Sequence, residues 1–154
     1  DPERRASTPH CWRVDSAKAL QTVPLPSWSE ADHEIFRALE EQIGDAILAR
    51  KDAPASYHLS CVVDDAASGV TVVTRGADLR PSTPIQRLLQ GLLGLPESTY
   101  LHHPLVTHED GRRLAKRDLA PTLAAMRESG VDGGQLASDL LAGKLPLGFA
   151  FSDA

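Results

Sequence analysis

The chain has 154 residues, of which 42% are apolar and 24% charged, enough for one ordinary hydrophobic core and too few for two. Its formal net charge of −5, from 16 Lys and Arg against 21 Asp and Glu, excludes a uniformly basic nucleic-acid coat and restricts any RNA contact to local patches. No apolar run approaches the roughly 20 residues that cross a bilayer, and the start, Asp1-Pro2-Glu3-Arg4-Arg5, is unlike a signal peptide, so a cytoplasmic protein that makes no membrane contact is expected.

The first 28 residues carry Pro2, Pro9, Pro24 and Pro26, and the short apolar piece Cys11 to Val14 predicts loops around one or two strands. Ser29 then offers an N-cap, and Ile35, Phe36, Leu39 and Ile43 recur at helical spacing up to Gly44, which predicts an amphipathic helix. Ala46 to Arg50 reads as a short strand and Asp52 to Ala55 as a turn. From Tyr57 to Ala67 the apolar residues Leu59, Cys61, Val62 and Val63 fit a buried strand or a buried helix, and periodicity leaves both open. After Gly69, the β-branched run Val70 to Thr74 predicts a strand with Arg75 at its carboxyl end.

Thr83 and Pro84 form an N-cap and first-turn pair for a helix with an apolar stripe of Ile85, Leu88, Leu89, Leu92 and Leu93, closed by Gly94. Tyr100 to Val106 predicts another strand, followed by a polar loop from Thr107 to Gly111. One helix is expected from Leu123 to near Gly130, and a last short one carries Leu136, Leu140 and Leu141 before Gly143. Strands alternating with helices predict an α/β domain with a largely parallel sheet.

In such a sheet ligands bind beyond the carboxyl ends of the strands, which directs attention to Arg75. Its planar guanidinium suits a carboxylate gripped by two parallel hydrogen bonds; a surface arginine paired with Asp78 is the plainer alternative. A second candidate is the run Arg112-Arg113-Leu114-Ala115-Lys116-Arg117 behind Gly111, where Lys116 is a point charge able to reach a triphosphate and a solvated loop is the alternative. Neither a P-loop nor a dinucleotide fingerprint occurs. His102 and His103 have no third ligand spaced to complete a metal site, and Asp64-Asp65 reads as a cap or salt-bridge pair before it reads as a Mg²⁺ site. The two cysteines, Cys11 and Cys61, are far apart and are expected to be reduced thiols.

A run of six linked motifs carries a family resemblance. Tyr57-His58-Leu59-Ser60-Cys61-Val62-Val63-Asp64-Asp65, Gly69-Val70-Thr71, Arg75-Gly76-Ala77-Asp78-Leu79 and Ser82-Thr83-Pro84-Ile85 resemble the core of the glutamyl-tRNA synthetase family. Downstream, His103-Pro104-Leu105 resembles that family's strand beside ATP, and Arg113-Leu114-Ala115-Lys116-Arg117 stands in the place of its KMSKS loop, with Arg113 for the first lysine and Ala115 for the serine. The resemblance spans residues 45 to 120 strongly. It implies a partial class I synthetase Rossmann-like catalytic domain with parallel strands, in which the Tyr57 segment is a helix.

On that resemblance Tyr57 and Arg75 belong to the L-glutamate pocket, and Lys116 is the catalytic lysine that binds ATP, with Mg²⁺ as the companion ion. Residues 1 to 44 would be a partial connective region, 45 to 120 the C-terminal half of the catalytic domain, and 121 to 154 a short helical segment. The HIGH-containing half of the family's domain has no counterpart here, so the chain is expected to supply one half of a site. The short ending points to the branch without an anticodon-binding domain, whose members place glutamate on the queuosine base of tRNA(Asp). That branch carries a zinc-binding cysteine cluster upstream of this region, so Cys11 is not assigned to zinc and no residue is assigned to a metal. A truncated relative that binds tRNA or another protein, or part of an ordinary glutamyl-tRNA synthetase, are the alternatives.

Overall fold

A computed structural model describes residues 8–30, 34–114 and 122–152, and the chain divides into two units, Asp1–His102 and His103–Ala154. In the first unit β1 (Trp12–Arg13) pairs antiparallel with β4 (Ile47–Ala49), setting Trp12 opposite Ala49. The one-turn helix α1 (Ser16–Ala19) follows β1, with Asp15 accepting the Lys18 N–H as its cap. Asp45 then ties this turn to β4 by accepting both the backbone N–H and the hydroxyl of Ser16, at 2.9 and 2.8 Å.

The helix expected over Ile35 to Ile43 does not form. Instead β3 (Ile35–Arg37) pairs antiparallel with β2 (Ser27–Ser29), the strand that contains Ser29, and Trp28 lies opposite Phe36. Their rings stack at 5.7 Å with planes 13° apart. This cross-strand aromatic pair outweighs the weak helical spacing, since only Phe36 of its pair of adjacent apolar residues has a buried face to fill while Ile35 is left exposed. The rest of the segment is a single 3₁₀ turn, Glu40–Gln42, that delivers Ile43 into the core.

The Tyr57 segment is helical: α2 (Tyr57–Ala67) starts at the Ser56 cap, whose hydroxyl accepts the Leu59 N–H. Strand β5 (Val72–Gly76) begins two residues later than expected and holds Arg75 just before its end. A 3₁₀ turn, Ala77–Ser82, leads into α3 (Thr83–Leu93), so the cap position falls on Ser82 instead of Thr83, with Pro84 in the first turn. Gly94 closes α3 at φ 63°, a left-handed conformation that costs glycine nothing. Ile85, Leu88 and Leu89 of the apolar stripe are buried, whereas Leu92 and Leu93 emerge toward solvent. Thr83, Gln86, Arg87 and Gln90 are buried too, so α3 is packed on its polar side as well.

Strand β6 (Thr99–His103) returns beside β5. The Thr99 N–H donates to the Thr71 carbonyl at the start, and Arg75 meets His102 at the far end, so the two strands run parallel around the α3 crossover. On the other side of β6, Glu30 forms a parallel bridge to Tyr100. Parallel pairing is concentrated in this crossover and bridge; the pairs β1–β4 and β2–β3 are antiparallel. Alternation along β5 and β6 turns Arg75, Tyr100 and His102 inward and leaves Val72 and Leu101 exposed. The core joins Val14, Trp28, Ala38, Ile43, Ile85, Leu88 and Tyr100.

In the second unit β7 (Val106–His108) pairs antiparallel with β8 (Phe149–Phe151), and His108 stacks on Phe149. The expected polar loop thus begins as a strand. The two expected helices are α4 (Leu123–Glu128), capped by Thr122, and α5 (Gly133–Leu141), capped by Asp132. Between them lies an apolar groove of about 420 Å³ lined by Leu123, Met126, Val131, Leu136 and Leu140. No described helix is long and apolar enough to cross a membrane.

Candidate functional site

Arg75 is 8% exposed and spends its donors on neutral acceptors. Nε donates to His102 Nε2 at 3.0 Å, Nη1 to Gln86 Oε1 at 2.6 Å and Nη2 to Thr83 Oγ1 at 2.7 Å. The guanidinium also lies 5.0 Å from the centre of the Tyr100 ring, a favourable cation–π approach. A guanidinium carries five N–H donors, so these bonds leave one N–H on each terminal nitrogen. Two N–H groups of a guanidinium can together pair with a carboxylate. A desolvated cation held only by neutral partners is costly until an anion joins it.

The arginine is oriented from behind. His102 accepts from Arg75 at Nε2, and since arginine only donates, the imidazole proton must reside on Nδ1. Nδ1–H donates to Glu30 Oε1 at 2.8 Å. Both oxygens of Glu30 act as acceptors, Oε1 also from Trp28 Nε1 at 3.1 Å and Oε2 from the His102 backbone N–H at 3.3 Å. Glu30, His102 and Arg75 therefore form one buried line running from carboxylate to imidazole to guanidinium. Burial holds His102 below the usual histidine value against the opposing pull of Glu30, and the charges of Arg75 and Arg80 add to the lowering.

Tyr57 occupies the first position of α2 and is half exposed. A hydrogen bond with the Cys61 thiol, one turn on, raises its phenol, as does burial, while the charge of Arg75 acts the other way. Burial and then Arg75 lower the His58 imidazole. Burial likewise raises the Tyr100 phenol against the effect of Arg75. The charge of Arg75 is thus felt at Tyr57, His58, Tyr100 and His102, which gather around it from α2 and β6. Two buried polar atoms in this neighbourhood, His58 Nδ1 and Gln86 Nε2, have no hydrogen-bond partner among the described residues.

Of the residues singled out from sequence, Tyr57 and Arg75 come into one electrostatic neighbourhood, and Lys116 lies outside the described residues. Arg113 is described and bridges Thr107 in antiparallel fashion, whereas Arg112 is paired with Asp110 at 2.7 Å. Sequence reasoning missed Glu30 and Gln86, read Thr83 only as a helix cap and motif residue, and considered His102 only as half of a metal pair without a third ligand. For Gln86 a signal existed, a polar residue amid the stripe of α3; Glu30 had none, because its partner is distant in the chain. Among the described residues no group of three or more His, Cys, Asp and Glu side chains stands together to hold a metal ion. Cys11 and Cys61 are both free thiols.

The β5–α3–β6 crossover carries Arg75 near the end of its first strand, with Tyr57 of α2 in the same electrostatic neighbourhood. The chain belongs to the tRNA synthetases class I (E and Q), catalytic domain, whose family model matches residues 9–143. Among curated relatives it is similar to the glutamyl-Q tRNA(Asp) synthetase of Rhodobacter capsulatus, 54% identical over 99 residues that cover 64% of this chain and 36% of that protein. The protein of the same name from Deinococcus radiodurans is 41% identical over 139 residues, 90% of this chain and 45% of the relative. The chain therefore spans less than half the length of these relatives. In fold it is similar to the glutamate-tRNA synthetase of Elizabethkingia anophelis, with a TM-score of 0.53 at 22% identity, over 84% of this chain and 28% of that one.

Proposed function

We propose that this chain supplies the glutamate grip and the triphosphate-facing loop of a ligase that activates L-glutamate with ATP and transfers it to the queuosine base of tRNA(Asp). The observation that carries the reading is Arg75, a buried cation whose bonded acceptors are all neutral and whose terminal nitrogens each keep one N–H. An acidic amino acid supplies the missing anion. The orphan N–H of Gln86 beside it and the phenol of Tyr57 offer further polar contacts to the same ligand. The specificity for tRNA(Asp) rests on the similarity to relatives that are glutamyl-Q tRNA(Asp) synthetases.

In this reading Arg75 orients glutamate so that one carboxylate is gripped and the other is free to attack the α-phosphate of ATP. Carbon–oxygen–phosphorus linkage then forms as pyrophosphate leaves, and the glutamyl group passes to a hydroxyl of the modified base with release of AMP. Lys116 is assigned the neutralisation of charge on the triphosphate as that bond exchange proceeds.

The test offers radiolabelled glutamate and ATP to the protein carrying this chain at its natural length, with tRNA(Asp) containing or lacking queuosine and with tRNA(Glu). Label is expected only on queuosine-containing tRNA(Asp). In the same assay Arg75→Lys, which keeps the charge and loses the fork, should raise the KM for glutamate about tenfold or more, with that for ATP within about twofold. Label chiefly on the 3′ end of tRNA(Glu) would return the chain to the ordinary synthetases, and an unchanged glutamate KM in Arg75→Lys would remove Arg75 from the pocket.

A further inference from the structure

Beyond the residues that meet substrate, the structure assigns Glu30 and His102 as positioning residues that hold the Arg75 fork in its carboxylate-binding orientation. The assignment rests on the reading of Arg75 as the glutamate grip and deepens it by adding a pH dependence to that grip. Glu30 reaches the site from the strand edge beyond β2, where its backbone bridges Tyr100. Its carboxylate is 5% exposed and is pinned by Trp28 and by the His102 backbone. The His102 side chain is wholly buried against it, with Tyr100 stacked parallel at 5.9 Å.

Three consequences follow from the chemistry of the line. Glu30 accepts at both oxygens, so it selects the Nδ1–H tautomer of His102 and thereby leaves Nε2 bare for Arg75. The Arg75 Nε bond fixes the plane of the guanidinium, because Nε lies on the stem side, and the terminal nitrogens are left to face the ligand. A proton taken up at His102 Nε2 abolishes the acceptor and sets a second cation against Arg75. The charged and titratable groups that face the imidazole are Glu30, which favours that proton, and Arg75 and Arg80, which oppose it. Thr83 also stands near, its hydroxyl oxygen 3.4 Å from Nε2.

The test needs no turnover. In the ¹⁵N-labelled protein carrying this chain at its natural length, the His102 ring should show the Nδ1–H tautomer, and the Arg75 Nε–H should exchange slowly with solvent until acid protonates His102, when the two changes coincide. His102→Gln, whose amide can still accept from arginine and cannot titrate, should keep the Arg75 signal protected to lower pH. Glu30→Gln should lose that protection at neutral pH while the thermal transition remains cooperative. L-glutamate should shift the Arg75 signal at neutral pH, and its affinity should be about 10- to 100-fold weaker in Glu30→Gln and closer to that of the unaltered protein in His102→Gln. An Nε2–H tautomer, or Arg75 protection indifferent to both substitutions, overturns the assignment even if glutamate binds. An intact relay with no response to glutamate overturns instead the reading of Arg75, and with it the positioning role.

Discussion

A buried histidine that is neutral in the fold and charged when unfolded couples stability to pH. His102 and His58 are both held below the ordinary histidine value of about 6.5, chiefly by burial. Between that value and their lower folded values the unfolded chain binds more protons, so stability falls as pH drops through this window and levels off beneath it. Thermal melts from pH 7.5 down to 4.5 should show this loss, and His102→Gln should lessen it; an identical pH slope in the variant would show that the imidazole carries none of it. The residues of this site were unevenly legible. Arg75 stood out because a β-branched run ended on it, and Tyr57 because a motif contained it. Glu30 did not, because an acid two residues after a tryptophan resembles any loop carboxylate until its partner, 72 residues on, is in place.

The elements that the sequence announced are those whose ends are marked. Helix α3 has Pro84 in its first turn and Gly94 at its close, whereas the segment of α2 stayed open between strand and helix on periodicity, was expected to be a helix only by the family resemblance, and shows its Ser56 cap only in the structure. The failure over Ile35 to Ile43 came where spacing was the only cue, and the Trp28–Phe36 stack, a contact across a hairpin, decided for strand. Two glycines of α3 separate these local rules. A methyl group at Gly91 meets Val23 at an ordinary 3.8 Å inside the helix, so Gly91→Ala should stabilise by about 0.5–1 kcal/mol through helix propensity. At Gly94 the space is open but φ is 63°, so Gly94→Ala should destabilise by about 1 kcal/mol from backbone strain alone. Shifts of the same sign in denaturant titrations would refute this account of the helix end. Leu88→Ala, at a side chain 1% exposed, should cost more than either, about 2–5 kcal/mol.

At the scale of the whole chain, a net charge of −5 means that, on the proposed function, RNA would be met against the prevailing field. That reading puts the contact at the basic run Arg112 to Arg117, four cations of which Arg112 is engaged with Asp110, enough to neutralise about two to three phosphates. Log affinity for tRNA(Asp) should therefore fall with log salt at a slope of about −2 to −3; a slope steeper than about −6 in filter binding would place the RNA on a different surface. The same whole-chain view bears on how the site comes into being. The bond between Glu30 and His102 closes a loop of 72 residues, and ordering so long a span is entropically slow compared with building the β5–α3–β6 crossover inside it. Until the β2–β3 pair docks, Thr83 and Gln86 can hold the terminal nitrogens of Arg75, but Glu30 is not in place to select the His102 tautomer that accepts from Nε. On the proposed function, competence to hold an acidic amino acid would therefore wait on this long-range contact, and a half-assembled chain would have a poorly shaped grip for substrate.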